Sequence, residues 1–250
     1  MTTPRFWRSR GLRALTTMLP VVVLLAIQRV THAQCIEARA TAPDAGPGHT
    51  FGYIVSIFGD TSVVGAVAAD TEVGSDPGAA YVLVRDTQGG WTQQARLVPD
   101  DAAAGDQFGY FVAVHGDTAV VGANWDDTPA GSNVGSAYVF VRDNGVWTQQ
   151  QKLVASDGAA SDLLGVSVAV FGDTAVVGAP GDDTAAGANA GSIYVFERAN
   201  GVWTQQAHLF AADAAAGDFF SGFSMDLDGD TLVVGAIYDN HPGATDAGSA

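Results

Sequence analysis

"FGYFVAVHGDTAVVGA", residues 108–123, decides the fold, because close copies of it occur four times. "FGYIVSIFGDTSVVGA" starts at Phe51, "LGVSVAVFGDTAVVGA" at Leu164 and "SGFSMDLDGDTLVVGA" at Ser221, at spacings of 57, 56 and 57 residues. Repetition at a fixed period of this size marks an architecture of stacked copies of one supersecondary unit. Each copy runs on into an acidic loop. The first three then reach "GAAYVLVR" (78–85), "GSAYVFVR" (135–142) or "GSIYVFER" (191–198), followed by "WTQQ" at Trp91, Trp147 and Trp203.

The unit reads as four short strands. The first, of the "FGYFVAV" type, turns at Gly-Asp, two residues suited to tight turns. The second is "TAVVGA". In the third, Tyr138 and Phe140 point to one face and Ala137, Val139 and Val141 to the other. Apolar residues on both faces predict a sheet covered on both sides. The fourth, "WTQQQKLV", alternates apolar with polar and suits an outer strand beside solvent. Four-stranded units buried between copies of themselves describe an all-β fold, a β-propeller with a repeat of about 57 residues. A β-solenoid is the structural alternative, but its repeat is normally much shorter.

Units are expected at 51–107, 108–163 and 164–220, with a partial unit at 221–250. Ahead of them, 34–50 aligns with a fourth strand, since Arg39 lies 57 residues before Arg96. Propellers often close by combining strands from both chain ends. A lone fourth strand at one end and a partial unit at the other therefore predict an incomplete ring, part of a larger propeller.

Residues 1–33 are of another kind. Arg5, Arg8, Arg10 and Arg13 precede an apolar run ending near Ile27, with small Ala33 after it. This is the pattern of a secretory signal peptide, with no stable membrane insertion once it is cleaved. Five of the 11 basic residues and none of the 27 acids lie in it, leaving six bases against 27 acids, a formal charge of −21. Such a surface disfavours nucleic acid and anionic membranes. Cys35 is the only cysteine, so no intrachain disulfide can form. Stability must come from packing or ions.

The repeated pieces resemble FG-GAP repeats, the units of the integrin α-chain N-terminal propeller and of many secreted bacterial proteins. "FG" stands at Phe51-Gly52 and Phe108-Gly109, and "GAP" at Gly178-Ala179-Pro180. The resemblance implies an extracellular binding or scaffolding propeller, seven-bladed in integrins. In that family a calcium loop often joins the first two strands. Here the connection is only "FGDT" or "HGDT", too short to wrap an ion that needs 6–8 oxygen ligands. Unit four alone has "DLDGD", with Asp226, Asp228 and Asp230.

The repeats act as an internal control, since a residue doing chemistry should stand out from its equivalents. His208 takes the place of Arg96 and Lys152 on strand four and reads as a surface residue. No histidine pair has metal-ligand spacing, and no nucleophile or phosphate-loop motif appears. The acids recur at matched positions: Asp126-Asp127, Asp182-Asp183 and Asp239-Asn240 are equivalent, and Asp70 matches the second of each pair. Asp and Asn cap turns by accepting from nearby backbone N–H groups, which explains the recurrence. The other reading is weak divalent-ion binding, with calcium as the cofactor, at Asp126, Asp127, Asp182, Asp183, Asp226, Asp228 and Asp230. The "WTQQ" tryptophans are expected between blades rather than at a ligand. Trp125 stands where other units have Ala68, Gly181 and Tyr238, so Trp125 and Tyr238 are the candidate ligand contacts.

The sequence therefore predicts a secreted propeller that is not an enzyme and recognises an extracellular protein or glycan with its loops. A calcium-stabilised structural module of a larger surface protein is the alternative. A propeller enzyme working through the acidic loops ranks last.

Overall fold

A computed structural model describes residues 39–44, 46–240 and 244–250; all belong to one structural unit, Ala38–Ala250. The expected signal peptide at 1–33, Cys35 and His241 lie outside the described residues. Fourteen strands form in sequence, with no helix among the described residues. β1 (Val55–Phe58), β2 (Thr61–Ala66), β3 (Ala79–Arg85) and β4 (Trp91–Leu97) make the first sheet. β5 (Val112–His115), β6 (Thr118–Ala123), β7 (Ser136–Asp143) and β8 (Val146–Leu153) make the second. β9 (Ser167–Phe171), β10 (Thr174–Ala179), β11 (Ser192–Ala199) and β12 (Val202–Leu209) make the third. β13 (Phe220–Asp228) and β14 (Thr231–Ala236) pair as a two-stranded fourth.

Every sheet is an antiparallel meander, and turn chemistry sets its registers. Gly59, Gly116, Gly172 and Gly229 take φ near +60° in the first hairpins, a conformation open to glycine at little cost. The hairpins β7–β8 and β11–β12 turn on Asn144-Gly145 and Asn200-Gly201, all at positive φ. Two such residues in succession give the turn whose twist matches the flanking strands.

Side chains on the two faces of each sheet serve different neighbours. In the second sheet, Val112, Val114, Ala119, Val121, Tyr138 and Phe140 pack with Val63, Ala80, Val82 and Leu97 of the first. From the opposite face, Ala113, Val120, Ala137 and Val139 pack with Val168, Val170, Ala175, Val177, Tyr194 and Phe196 of the third. A smaller cluster joins Val176 and Ile193 to Met225, Leu227, Leu232 and Val234 of the fourth. The first strands sit innermost: β1 packs on β5, β5 on β9 and β9 on β13. They line a common cleft of about 440 Å³. These are propeller blades, following one another as an open arc rather than a closed ring. Successive blades approach closely at their glycines. A Cβ on Gly122 would fall 1.9 Å from the Gly165 carbonyl oxygen, so the blade seams exclude a side chain there.

Two details depart from the sequence reading. The described part of 34–50 contains no strand; its Ala42 packs on Ala66, Ala69, Ala79 and Tyr81 of blade 1. In blade 4 the start is shifted by one residue. Phe108 and Leu164 pass over Gly78 and Gly135, and Phe220, not Ser221, passes over Gly191 in the same way. The Phe220 N–H donates to the Ala190 carbonyl, as the Leu164 N–H does to Val134. The extra length is absorbed by a bulge between Phe220 and Met225. A large apolar side chain is needed at this place to cover the core, and serine cannot supply it.

Candidate functional site

The acidic loop leaves strand two through a tight turn. In blade 2 the Asp126 N–H donates to the Ala123 carbonyl (3.2 Å) and the Trp125 N–H to the Asp106 carbonyl (3.3 Å). The turn sends neighbouring side chains in opposite directions. Trp125 is 47 % exposed, whereas Asp126 is 4 % exposed.

Asp126 is the centre of a polar cluster. Its Oδ2 accepts from Ser136 Oγ (2.5 Å) and the Tyr138 hydroxyl (3.4 Å), and the Lys152 ammonium stands 2.6 Å away. Lys152 also reaches Asp101 on the linker entering the blade, at 2.7 Å, and lies over the Tyr138 ring. One cation thus clasps the linker, the strand-two loop and the outer strand. Burial alone would lower the Lys152 pKa, but hydrogen bonds to Asp101 and Asp126 outweigh it and raise it above the ordinary lysine value. Burial pushes Asp101 up, but its hydrogen bond from Lys152 prevails and holds it below the usual carboxylate range. Burial also drives the Tyr138 hydroxyl upward.

Blade 3 repeats the cluster with a different base. Asp182 accepts from Ser192 Oγ and from the Tyr194 hydroxyl (3.2 Å). His208 places Nε2 at 2.9 Å from Asp182 and Nδ1 at 3.2 Å from Asp157. Its ring stacks on Tyr194 at 4.4 Å between centroids. His208 is therefore an internal clasp with its side chain 26 % exposed, not the free surface residue its strand position suggested. Blade 1 has no buried acid, since Ala69 stands there; Arg96 instead meets Asp44 at 3.0 Å and donates to the Asp70 carbonyl.

The second acid of each pair caps the loop. Asp127 Oδ1 accepts from the Asn133 N–H and Asp183 Oδ1 from the Asn189 N–H, both at 2.8 Å. Asp70 and Asn240 serve Asp76 and Asp246 in the same way. The capped residues Asp76, Asn133, Asn189 and Asp246 all have φ of 50–55°, where Asp and Asn are tolerated better than most.

These surroundings test the candidate calcium ligands. Asp126 already faces an ammonium and two hydroxyls, Asp182 an imidazole and two hydroxyls, and Asp127 and Asp183 are turned to backbone N–H groups. Asp226, Asp228 and Asp230 are exposed on the β13–β14 hairpin, with Asp226 Oδ1 accepting from the Leu227 N–H. Among the described residues no three His, Cys, Asp or Glu side chains are grouped to hold a metal ion. These donors do not fit calcium, and no step is assigned to it.

Tyr238 is 44 % exposed and meets Phe219 edge-on at 5.7 Å. Trp125 and Tyr238 occupy equivalent positions of blades 2 and 4, with Gly181 at that position in blade 3. A Cβ on Gly181 would fall 2.1 Å from the Ser161 carbonyl oxygen, so blade 3 can present no side chain between them. Two of the three "WTQQ" tryptophans lie at the seams: Trp147 Nε1 donates to Gln94 and Trp203 Nε1 to Gln150, each on the preceding blade, at 2.8 Å, whereas Trp91 meets Arg85 of its own blade.

Sequence reasoning missed the buried clasps, yet a signal was present. Serine follows the acid by ten residues in Asp126–Ser136, Asp182–Ser192 and Asp239–Ser249, whereas Ala69 is followed by Ala79. Acid and hydroxyl come and go together, as expected of a bonded pair.

Repeated four-stranded antiparallel blades, packed face to face around their first strands, define the class as a β-propeller. The family model for the FG-GAP repeat matches residues 36–83, 91–140, 147–196 and 203–250, and the chain belongs to that family. The second to fourth matches begin at the first or second residue of an outer strand and run into the next blade, so each matched stretch spans a seam. No curated protein matches the chain. Among solved structures, the chain resembles a mutant of the GH32 β-fructofuranosidase BmSUC1 of Bombyx mori in complex with sucrose. The match has a TM-score of 0.42 and 13 % identity, over 79 % of this chain and 46 % of that one. This chain thus spans about half the length of that protein. The expectation that the chain is not an enzyme is corrected here, because this structural match is itself an enzyme; at this level of likeness its activity does not transfer.

Proposed function

We propose that this FG-GAP chain is an extracellular recognition module whose loop face binds a protein or glycan. The observation that carries this reading is the exposure of Trp125 and Tyr238. Both stand at loop positions that other units fill with alanine or glycine; the Asp126 clasp and the Asp127 cap pin the blade 2 loop, and the Asn240 cap pins the blade 4 loop. A rigid frame presenting large amphipathic side chains loses little conformational entropy on binding. The amino-terminal secretion pattern supports an extracellular setting for such a module, and the surplus of acids favours ligands with neutral or basic surfaces.

The test is a screen of the secreted chain against immobilised glycans and extracellular-matrix proteins, repeated with Trp125→Ala and Tyr238→Ala. Binding is expected to fall at least tenfold in one of the variants, with thermal unfolding unchanged. Retention of full binding by both variants, or no binding by the unmodified chain, overturns the reading.

A further inference from the structure

His115 stands out among the residues that end the first strands. Phe58 and Phe171 hold the same place in blades 1 and 3, and Asp228 holds it in blade 4. The imidazole lies between those two phenyl rings, 4.4 Å from each between centroids. Its Nδ1 accepts from the Gly172 N–H of the next blade at 3.1 Å. Nε2 is therefore the donor nitrogen of the ring, and no acceptor meets it among the described residues.

The same imidazole lines an open cavity of about 500 Å³ at the seam of blades 2 and 3, at the opposite end of β6 from Trp125. Blades 2 and 3 supply its whole lining. Gln150 Oε1 accepts from Trp203 Nε1 (2.8 Å), which leaves the Gln150 Nε2 as a second donor. Asp117 and Asp173 each use one oxygen: Oδ1 accepts from Arg142 Nε (2.6 Å) and from Arg198 Nε (2.7 Å) respectively. Their Oδ2 atoms are spare acceptors, on side chains 68 % and 69 % exposed. The guanidiniums are occupied elsewhere as well, with Arg142 Nη1 on Thr61 Oγ1 (2.9 Å) and Arg198 Nη1 on Thr118 Oγ1 (3.1 Å).

We infer that this cavity binds one neutral sugar unit. Each arginine is matched by its own aspartate, so the formal charges of the lining cancel. A small anion would meet two spare carboxylate oxygens, and a small cation two guanidiniums. A hydroxyl both donates and accepts. Neighbouring hydroxyls of a sugar therefore accept from His115 and Gln150 while donating to Asp117 and Asp173. The volume agrees, since small-molecule sites span about 300–1,000 Å³. The flanking phenyl rings hold the imidazole before any ligand arrives, which lowers the ordering cost of binding. The seam of blades 1 and 2 has Phe58 at this place and lacks the ring donor, so the site belongs to one seam only. It is separate from the loop face that carries Trp125.

Titration of the full chain with methyl β-glucoside, methyl β-galactoside and methyl α-mannoside tests this, read from the histidine ring-nitrogen signals in NMR. At least one glycoside is expected to saturate in the millimolar range and to shift the His115 Nε2 signal. His115→Phe brings in the residue type of Phe58 and Phe171, so it should fold normally, and it should weaken that binding about tenfold by saturation-transfer NMR. Trp125→Ala should leave the binding unchanged. The inference is overturned if no glycoside moves the His115 signal, or if His115→Phe binds as tightly as the unmodified chain. It is equally overturned if acetate or methylammonium shifts that signal at lower concentration than every glycoside. A glycoside that survives His115→Phe but is lost with Trp125→Ala sits on the loop face, which removes this site and leaves the recognition reading intact.

Discussion

Blades 2 and 3 solve the same problem with different bases. In each, a buried aspartate accepts a serine and a tyrosine hydroxyl and faces a basic side chain on the outer strand, which also reaches the linker. Blade 2 uses Lys152, charged throughout the physiological range. Blade 3 uses His208, whose two ring nitrogens reach Asp182 and Asp157. The difference teaches that the geometry of the clasp belongs to the repeat, while its chemistry is set one residue at a time.

The strongest way to break the comparison is to remove the buried acid. Asp126→Ala leaves Lys152 half-buried with only Asp101 as partner and is expected to cost about 3–5 kcal/mol, the range for breaking a buried ion pair. Asp127→Ala removes only a loop cap and should cost about 1 kcal/mol. Chemical denaturation distinguishes them; equal losses would mean the buried cluster has no special weight. Next in size is Ser192→Ala, which strips Asp182 of a hydroxyl donor at a cost of about 1–3 kcal/mol.

Charge sharpens the comparison further. The folded-state pKa of Lys152 is raised, so its contribution is complete below the unfolded value and lost as pH rises through the folded one. That of Asp101 is lowered, so its contribution is present above the unfolded value and lost as pH falls through the folded one. The blade 2 clasp is therefore at full strength between about pH 4 and 10, the ordinary values of the two groups. Asp101→Asn should flatten the acid limb of a stability–pH curve; an unaltered acid limb would refute the assignment. The smallest expected effect is calcium: saturating ion or chelator should leave the melting temperature within error, and a rise with sub-millimolar ion would show a site the donor geometry does not provide.

The repeat was legible because it is written in backbone-forming residues. Glycine at the hairpin, valine pairs in strand two and Asn-Gly between strands three and four specify local conformation wherever they occur. Tyr138 and Phe140 were assigned to one face by alternation alone, and they pack there. The clasps were harder to read. Asp126 and Lys152 are 26 residues apart, and what joins them is the return of the outer strand past the loop. The shift at Phe220 was hidden for a similar reason: aligned letters favour Ser221, but the place over Gly191 needs an apolar side chain, and a bulge takes up the difference.

By itself the sequence determined the all-β class, the period and the strand order within each blade, because all of these rest on residues near one another. Only the tertiary structure decided that Asp126 and Asp182 are buried and matched to Lys152 and His208. It alone gave the seam partners of Trp147 and Trp203, Gln94 and Gln150, and turned Asp127 and Asp183 to backbone N–H groups. Burial depends on which blade face meets which. That is a property of the packed arc, which no single repeat contains.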